Sequence, residues 1–180
     1  MKDERYYAAY LEHNRISRRG LFRSLFSGGK KAQAESAAEL LRREAARPPF
    51  AIAEPLFLKQ CNGCGDCVSA CPYGLIWLKE SKASLEIDFS ACDLCGKCAD
   101  VCSTGALALN VVPDTGLRPI IDFSCVRQHK QSCLFCETAC KTEALSFDSA
   151  TQKIQLNNEK CNGCGECKTA CPHNYINLAL

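Results

Sequence analysis

The chain has 180 residues, 47% of them hydrophobic and 23% charged, with a formal charge of +2. That length suits one or two domains, and the hydrophobic share counts sixteen cysteines, so the apolar core is smaller than it looks. The near-neutral charge gives no support to nucleic-acid binding, and no stretch reaches the ~18 apolar residues of a membrane span.

Residues 1–16 predict a short helix with Tyr7, Tyr10 and Leu11 on one face, read either as a docking surface or as a frayed terminus. Ser17-Arg18-Arg19-Gly20-Leu21-Phe22-Arg23 is similar to a twin-arginine export motif. A working signal then needs an apolar stretch of about 7–15 residues. The chain instead continues Ser27-Gly28-Gly29-Lys30-Lys31-Ala32-Gln33-Ala34-Glu35. The segment is therefore expected to bind a partner or to form basic surface, and the protein to stay cytoplasmic. Residues 31–46 predict a largely solvated helix, with Leu40 and Leu41 as its large apolar side chains. Arg47-Pro48-Pro49-Phe50 ends it, because proline disfavours helix at its own position and just before it. The expected division is a tail and linker over 1–54 and a folded body over 55–180.

The body is organised by cysteine. Cys61, Cys64, Cys67 and Cys71 are spaced C-x2-C-x2-C-x3-C, and Pro72 follows. The spacing returns at Cys92, Cys95, Cys98 and Cys102, and again at Cys161, Cys164, Cys167 and Cys171 before Pro172. A third run, Cys125, Cys133, Cys136 and Cys140, widens the first gap to seven residues. This is the bacterial ferredoxin run, in which three cysteines hold one [4Fe–4S] cluster and the fourth crosses to its neighbour. Structural zinc prefers two C-x2-C pairs separated by a longer stretch. A disulfide framework suits a short secreted chain. The expected cofactors are four [4Fe–4S] clusters, whose thiolates turn the loaded protein acidic.

Apolar residues alternate after each run at Ile76/Leu78, Leu107/Leu109, Leu145/Phe147 and Ile176/Leu178, the period of a half-buried strand. Ile87-Asp88-Phe89-Ser90 before the second run is echoed by Ile121-Asp122-Phe123-Ser124, and Ile154-x-Leu156 precedes Cys161. Each unit thus reads as strand, cysteine loop with a short helix, and strand. Cys64 to Cys95 and Cys133 to Cys164 are each 31 residues, whereas Cys95 to Cys133 is 38. The units therefore pair first with second and third with fourth, joined near Val111-Val112-Pro113-Asp114-Thr115-Gly116, a turn-forming stretch. The fold class is α+β: two tandem bacterial 2[4Fe–4S] ferredoxin-like modules, 55–112 and 113–180, preceded by a partly helical N-terminal tail.

Cluster iron takes soft, anionic, tetrahedral ligand sets, which four thiolates supply. By the crossing rule Cys61, Cys64, Cys67 and Cys102 form one set, and Cys92, Cys95, Cys98 and Cys71 its neighbour. Cys125, Cys133, Cys136 and Cys171 form the third, and Cys161, Cys164, Cys167 and Cys140 the fourth. Gly63, Gly65, Gly163 and Gly165 permit the turns and free amides to face sulfur. The insertion Val126–Ser132 is polar and basic and should bulge outward. Its His129 is an alternative to Cys125 as a ligand, though a solvated loop histidine is the simpler reading. Ser103 and Lys141 stand where the outer runs carry proline. Tyr73 and Trp77 read as packing near the first module. No phosphate loop, flavin or nicotinamide fingerprint, or acid–base histidine is visible, so an enzyme is not expected.

In this combination the chain resembles the NapF family, ferredoxin-type accessory proteins of the periplasmic nitrate reductase system. The resemblance rests on the Ser-Arg-Arg-Gly-Leu segment, the Arg-Pro-Pro-aromatic linker at 47–50, and the four runs with the widened Cys125-x7-Cys133-x2-Cys136-x3-Cys140. It implies a cytoplasmic protein that contacts the precursor of the nitrate reductase catalytic subunit and helps to install or reduce that subunit's cluster before export. An electron-transfer subunit of a respiratory or reductase complex is the alternative.

Overall fold

A computed structural model describes residues Arg43–Leu180. The expected Tyr7/Tyr10/Leu11 face, the arginine pair and most of the 31–46 helix lie outside the described residues.

The compact body begins at Arg43 and not at residue 55. The linker expected to run to residue 54 is built into the first module. Pro48, Pro49 and Phe50 are buried, and Arg47 is 4% exposed. The Arg47 guanidinium donates to both carboxylate oxygens of Glu54 (2.6 Å at the shortest) and to the Ala83 carbonyl (3.0 Å). It also lies 4.7 Å from the centre of the Phe57 ring. Glu54 opens helix α1 (Glu54–Gln60), where a carboxylate and the following Pro55 both favour a first turn. This buried ion pair fixes α1 against the strand that carries Ala83.

Each cysteine run contains, around its third cysteine, a helix of one turn or little more: α2 (Asp66–Ala70), α3 (Lys97–Asp100), α4 (Phe135–Ala139) and α5 (Glu166–Thr169). A left-handed glycine at 65, 96 or 165 starts three of them; Leu134, in a different conformation, starts α4. Strands β1 (Ile76–Lys79) and β2 (Lys82–Leu85) form a hairpin with Ile76 opposite Leu85. Its two turn residues, Glu80 and Ser81, both have positive φ, which matches the twist of the flanking strands. After β3 (Arg118–Ile121), the hairpin of β4 (Leu145–Asp148) and β5 (Lys153–Leu156) repeats the arrangement, with Leu145 opposite Leu156. Strand β6 (Ile176–Ala179) returns to pair antiparallel with β3, Ile121 facing Ile176.

The strand expected at Leu107/Leu109 shrinks to a single bridge between Leu107 and Ala51, flanked by hydrogen bonds from Ile52 to Ala106 and from Ala108 to Phe50. Pro48 and Pro49 have no N–H to donate, so the ladder cannot lengthen on that side. Ile87–Phe89 is not a strand either. Ile87 is buried, but Phe89 is 97% exposed, and the Ile87 carbonyl accepts from the Lys168 ammonium instead of a ladder.

The larger core gathers Phe50, Phe57, Leu75, Ile76, Leu85 and Leu107 around Cys61, Cys67 and Cys98. A smaller one joins Leu145 and Ile176 to Cys136 and Cys167. Leu117 and Leu178, from the second half of the chain, pack on the larger core. Thr115, fully buried, ties the halves: its hydroxyl donates to Gly163 O (2.8 Å), its amide to Asn162 O (3.0 Å), and its carbonyl accepts from Arg47 N.

Candidate metal centres

The one-turn helices carry the third cysteine of each run, Cys67, Cys98, Cys136 and Cys167, inward to a buried position, while the loops before them curl around a cavity. In runs one, two and four, the residue after the first cysteine closes the curl. Asn62, Asp93 and Asn162 accept from the amides of Cys64, Cys95 and Cys164 at 3.0–3.1 Å. Cysteine spacing does not point to these Asx residues; the signal for such a turn is an amide or carboxylate two positions before the second cysteine.

Cys61, Cys64, Cys67 and Cys102 line one cavity with Phe57, Leu78 and Leu107. Cys71, Cys92, Cys95 and Cys98 line a second with Pro72, Tyr73 and Ile76. Cys125, Cys133, Cys136 and Cys171 line a third with Pro172, His173 and Tyr175. Each holds about 330 Å3, counting its solvent-open part. The thiols of Cys164, Cys161, Cys136 and Cys140 lie close enough to Cys167 to repel its thiolate. Cys102, Cys71 and Cys171, each the fourth cysteine of its run, thus line the same cavity as the first three of the partner run.

Among the described residues no three His, Cys, Asp or Glu side chains converge closely enough for a single metal ion. The thiols surround cavities instead of meeting at a point, as a polynuclear cluster requires and a structural zinc ion does not. No disulfide links any of the sixteen cysteines.

Burial, then repulsion from neighbouring thiols, pushes Cys67 up to about 11 and Cys98 up to about 12. Cys136 and Cys167 rise to about 11 and about 12 for the same reasons. Such a set is unfavourable as bare thiolates and suits a cationic core. Cys102 and Cys140 go the other way. Burial would raise them, but hydrogen bonds from Thr104 and Thr142 and from backbone amides outweigh it and lower both thiols.

The inserted loop forms a 3-10 turn over Val126–His129. Its second half is exposed, but the expected outward bulge is pinned at Arg127, which stacks 4.2 Å over the Phe147 ring. His129 is exposed, hydrogen-bonds to the Phe123 carbonyl at 2.9 Å and does not line the cavity, whereas Cys125 is buried in its wall. His129 does not take the place of Cys125. Tyr73 and Trp77, read as packing, are 47% and 56% exposed, and the Tyr73 hydroxyl donates to Asp93.

Comparison with known proteins accords with this geometry. The family model described as a 4Fe-4S dicluster domain matches twice, over residues 60–106 and 131–175. An "uncharacterized protein" of Haemophilus influenzae is 49% identical over 171 residues, 95% of each chain. The ferredoxin-type protein NapF of the same organism is 31% identical, covering 73% of this chain and 77% of its own length. The methylamine utilization ferredoxin-type protein MauM of Methylorubrum extorquens is 33% identical, covering 78% and 73%. Two dicluster domains with sixteen cysteines in ferredoxin-like spacing make four [4Fe–4S] clusters the cofactors of this protein. The chain belongs to the family of ferredoxin-type proteins built on 4Fe-4S dicluster domains.

Proposed function

We propose that the chain is a four-cluster electron carrier, not itself an enzyme, that serves maturation of the periplasmic nitrate reductase catalytic subunit. It acts in the cytoplasm on the unexported precursor, supplying electrons to its cluster or helping to assemble it. The ligand sets belong to the same reading: Cys61, Cys64, Cys67 and Cys102; Cys92, Cys95, Cys98 and Cys71; Cys125, Cys133, Cys136 and Cys171; Cys161, Cys164, Cys167 and Cys140.

The observation that carries the reading is the seam between the modules. The Cys92 amide donates to the Cys164 carbonyl at 2.8 Å, so the sites of the second and fourth runs abut across it. Within the modules, Cys67 neighbours Cys98 and Cys136 neighbours Cys167. The four sites therefore follow one another as a line, first, second, fourth, third, with no break at the junction. A carrier needs such continuity, because electron transfer falls off steeply with distance. The relatives named NapF support the nitrate reductase system as the destination.

A relay subunit of another redox complex is the second reading. It is favoured by relatives named MauM at similar identity, and by an organism that holds NapF beside a 49%-identical protein. An anaerobic pull-down of the holoprotein, probed for the catalytic-subunit precursor, separates the two. Recovery of the precursor, lost on deleting residues 1–42, supports maturation. Recovery of membrane-bound redox partners alone sinks it. The deletion stops at 42 because Arg47 and Phe50 are core residues.

A further inference from the structure

The fourth cysteine of each run is followed by one of two local sequences. Cys71-Pro72-Tyr73 and Cys171-Pro172-His173 close the outer runs, Cys102-Ser103-Thr104 and Cys140-Lys141-Thr142 the inner ones. At both inner runs the threonine hydroxyl lies 3.5 Å from the sulfur of the cysteine two residues before it. Backbone amides add to the same sulfurs: Leu107 N at 3.3 Å from Cys102 and Ala144 N at 3.2 Å from Cys140. The Thr104 oxygen also accepts from the Ala106 amide at 3.4 Å, which leaves its proton for the sulfur. Cys171 receives only the Tyr175 amide, at 3.4 Å, and among the described residues no hydroxyl reaches the sulfur of Cys71 or Cys171.

An iron-bound thiolate can only accept, so at a loaded site the hydroxyl is the donor. A donor facing sulfur favours the more negative, reduced state of a cluster and raises its reduction potential. Because the fourth cysteines cross, the two hydroxyls serve the sites of the first and fourth runs, one in each module.

We propose that Thr104 and Thr142 set the order of reduction. They raise the potentials of the Cys61/Cys64/Cys67/Cys102 and Cys161/Cys164/Cys167/Cys140 clusters above those of the other two. The first two electrons, taken singly from an external reductant, settle there. Along the line these are the first and third positions, so a lower-potential cluster separates the two electrons and limits their repulsion. The inference rests on the crossed ligand sets proposed above.

The test is an anaerobic dithionite titration of the full-length holoprotein followed by electron paramagnetic resonance, beside Thr104→Val, Thr142→Val and Thr104→Ser. Two clusters should be reduced ahead of the other two. Each valine variant should keep its full iron content and lower the midpoint of one early cluster, by roughly tenfold in the reduction equilibrium or ~59 mV for one electron. Thr104→Ser should restore the original value. The signal moved by Thr104→Val should be the one altered by Cys64→Ser and untouched by Cys95→Ser. Unmoved midpoints overturn the role of the hydroxyls. A shift that tracks Cys95→Ser shows the hydroxyl acting but overturns the crossed sets, and with them the assigned order of reduction.

Discussion

Single residues set limits that the cysteine spacing does not reveal. Gly163 has φ of +68°, and a Cβ there would stand 2.1 Å from the Thr115 hydroxyl and 2.4 Å from the Leu117 carbonyl. Gly163→Ala should therefore cost about 1–3 kcal/mol in backbone strain, with more from the clash, and lower the melting temperature of the holoprotein. Gly74→Ala, also at positive φ but with open space around it, should lower it far less. Arg47 and Glu54 are a buried pair, and Glu54→Gln leaves Arg47 without its counter-charge, a loss of about 3–5 kcal/mol by chemical denaturation. The thiols titrate in a defined direction. Cys67, Cys98, Cys136 and Cys167 rise from 9.0 to about 11 or 12, so the folded metal-free state favours their protonated form. That contribution to stability is full below pH 9.0 and lost as pH climbs through 11–12. Cluster loading needs the thiolates, so its dependence is opposite. At fixed iron and sulfide, the extent of reconstitution should rise from neutral pH toward 9.0, with protons released. The cysteine groups were legible in the sequence because spacing alone encodes the loop. The Asx residues and the two threonines were not, because their contribution is a single hydrogen bond made only once the loop has closed.

At the scale of elements, the two halves of the chain are unequal. The core of the first half has Phe50, Phe57, Leu75 and Leu85 to bury, whereas the second relies on Leu145 and Ile176 beside two cysteines. The second module therefore leans harder on its clusters for folding free energy. On stepwise iron chelation, amides of β4 and β5 should lose hydrogen-exchange protection before those of β1 and β2; simultaneous loss would show the halves to be one cooperative unit. Ile176→Ala, at a site 3% exposed, should cost about 2–5 kcal/mol and sharpen that order. Period-two alternation identified β1, β4, β5 and β6 because each has a partner strand. It failed at Leu107/Leu109, where two prolines deny the opposite chain its donors, and at Ile87–Phe89, where a lysine from the other half supplies the contact. Alternation reports which side chains can share a face, not whether a neighbouring backbone is there to pair.

In the molecule as a whole, the second half is docked on the first by contacts that also order the metal centres. Thr115, which also holds Asn162 and Gly163 of the fourth cysteine loop, accepts the Arg47 amide of the first half, Lys168 bridges to Ile87 and Asp88, and Cys92 meets Cys164 through the backbone. None of these long-range pairs could be read from spacing, which defined two modules but not how they abut. The proline-rich segment is similar: in sequence it ends a helix, whereas in the fold it delivers Arg47 to Glu54 and belongs to the body. The central claim is that four clusters lie in one line, each held by three cysteines of one run and the fourth cysteine of its partner. Anomalous diffraction at the iron edge from anaerobically grown holoprotein crystals tests it most directly. The account expects four iron centres in the order first, second, fourth, third, with Cys102 on the centre of Cys61, Cys64 and Cys67, and Cys140 on that of Cys161, Cys164 and Cys167. Iron centres each held by the four cysteines of a single run, or two pairs set apart with no approach between Cys92 and Cys164, would contradict it.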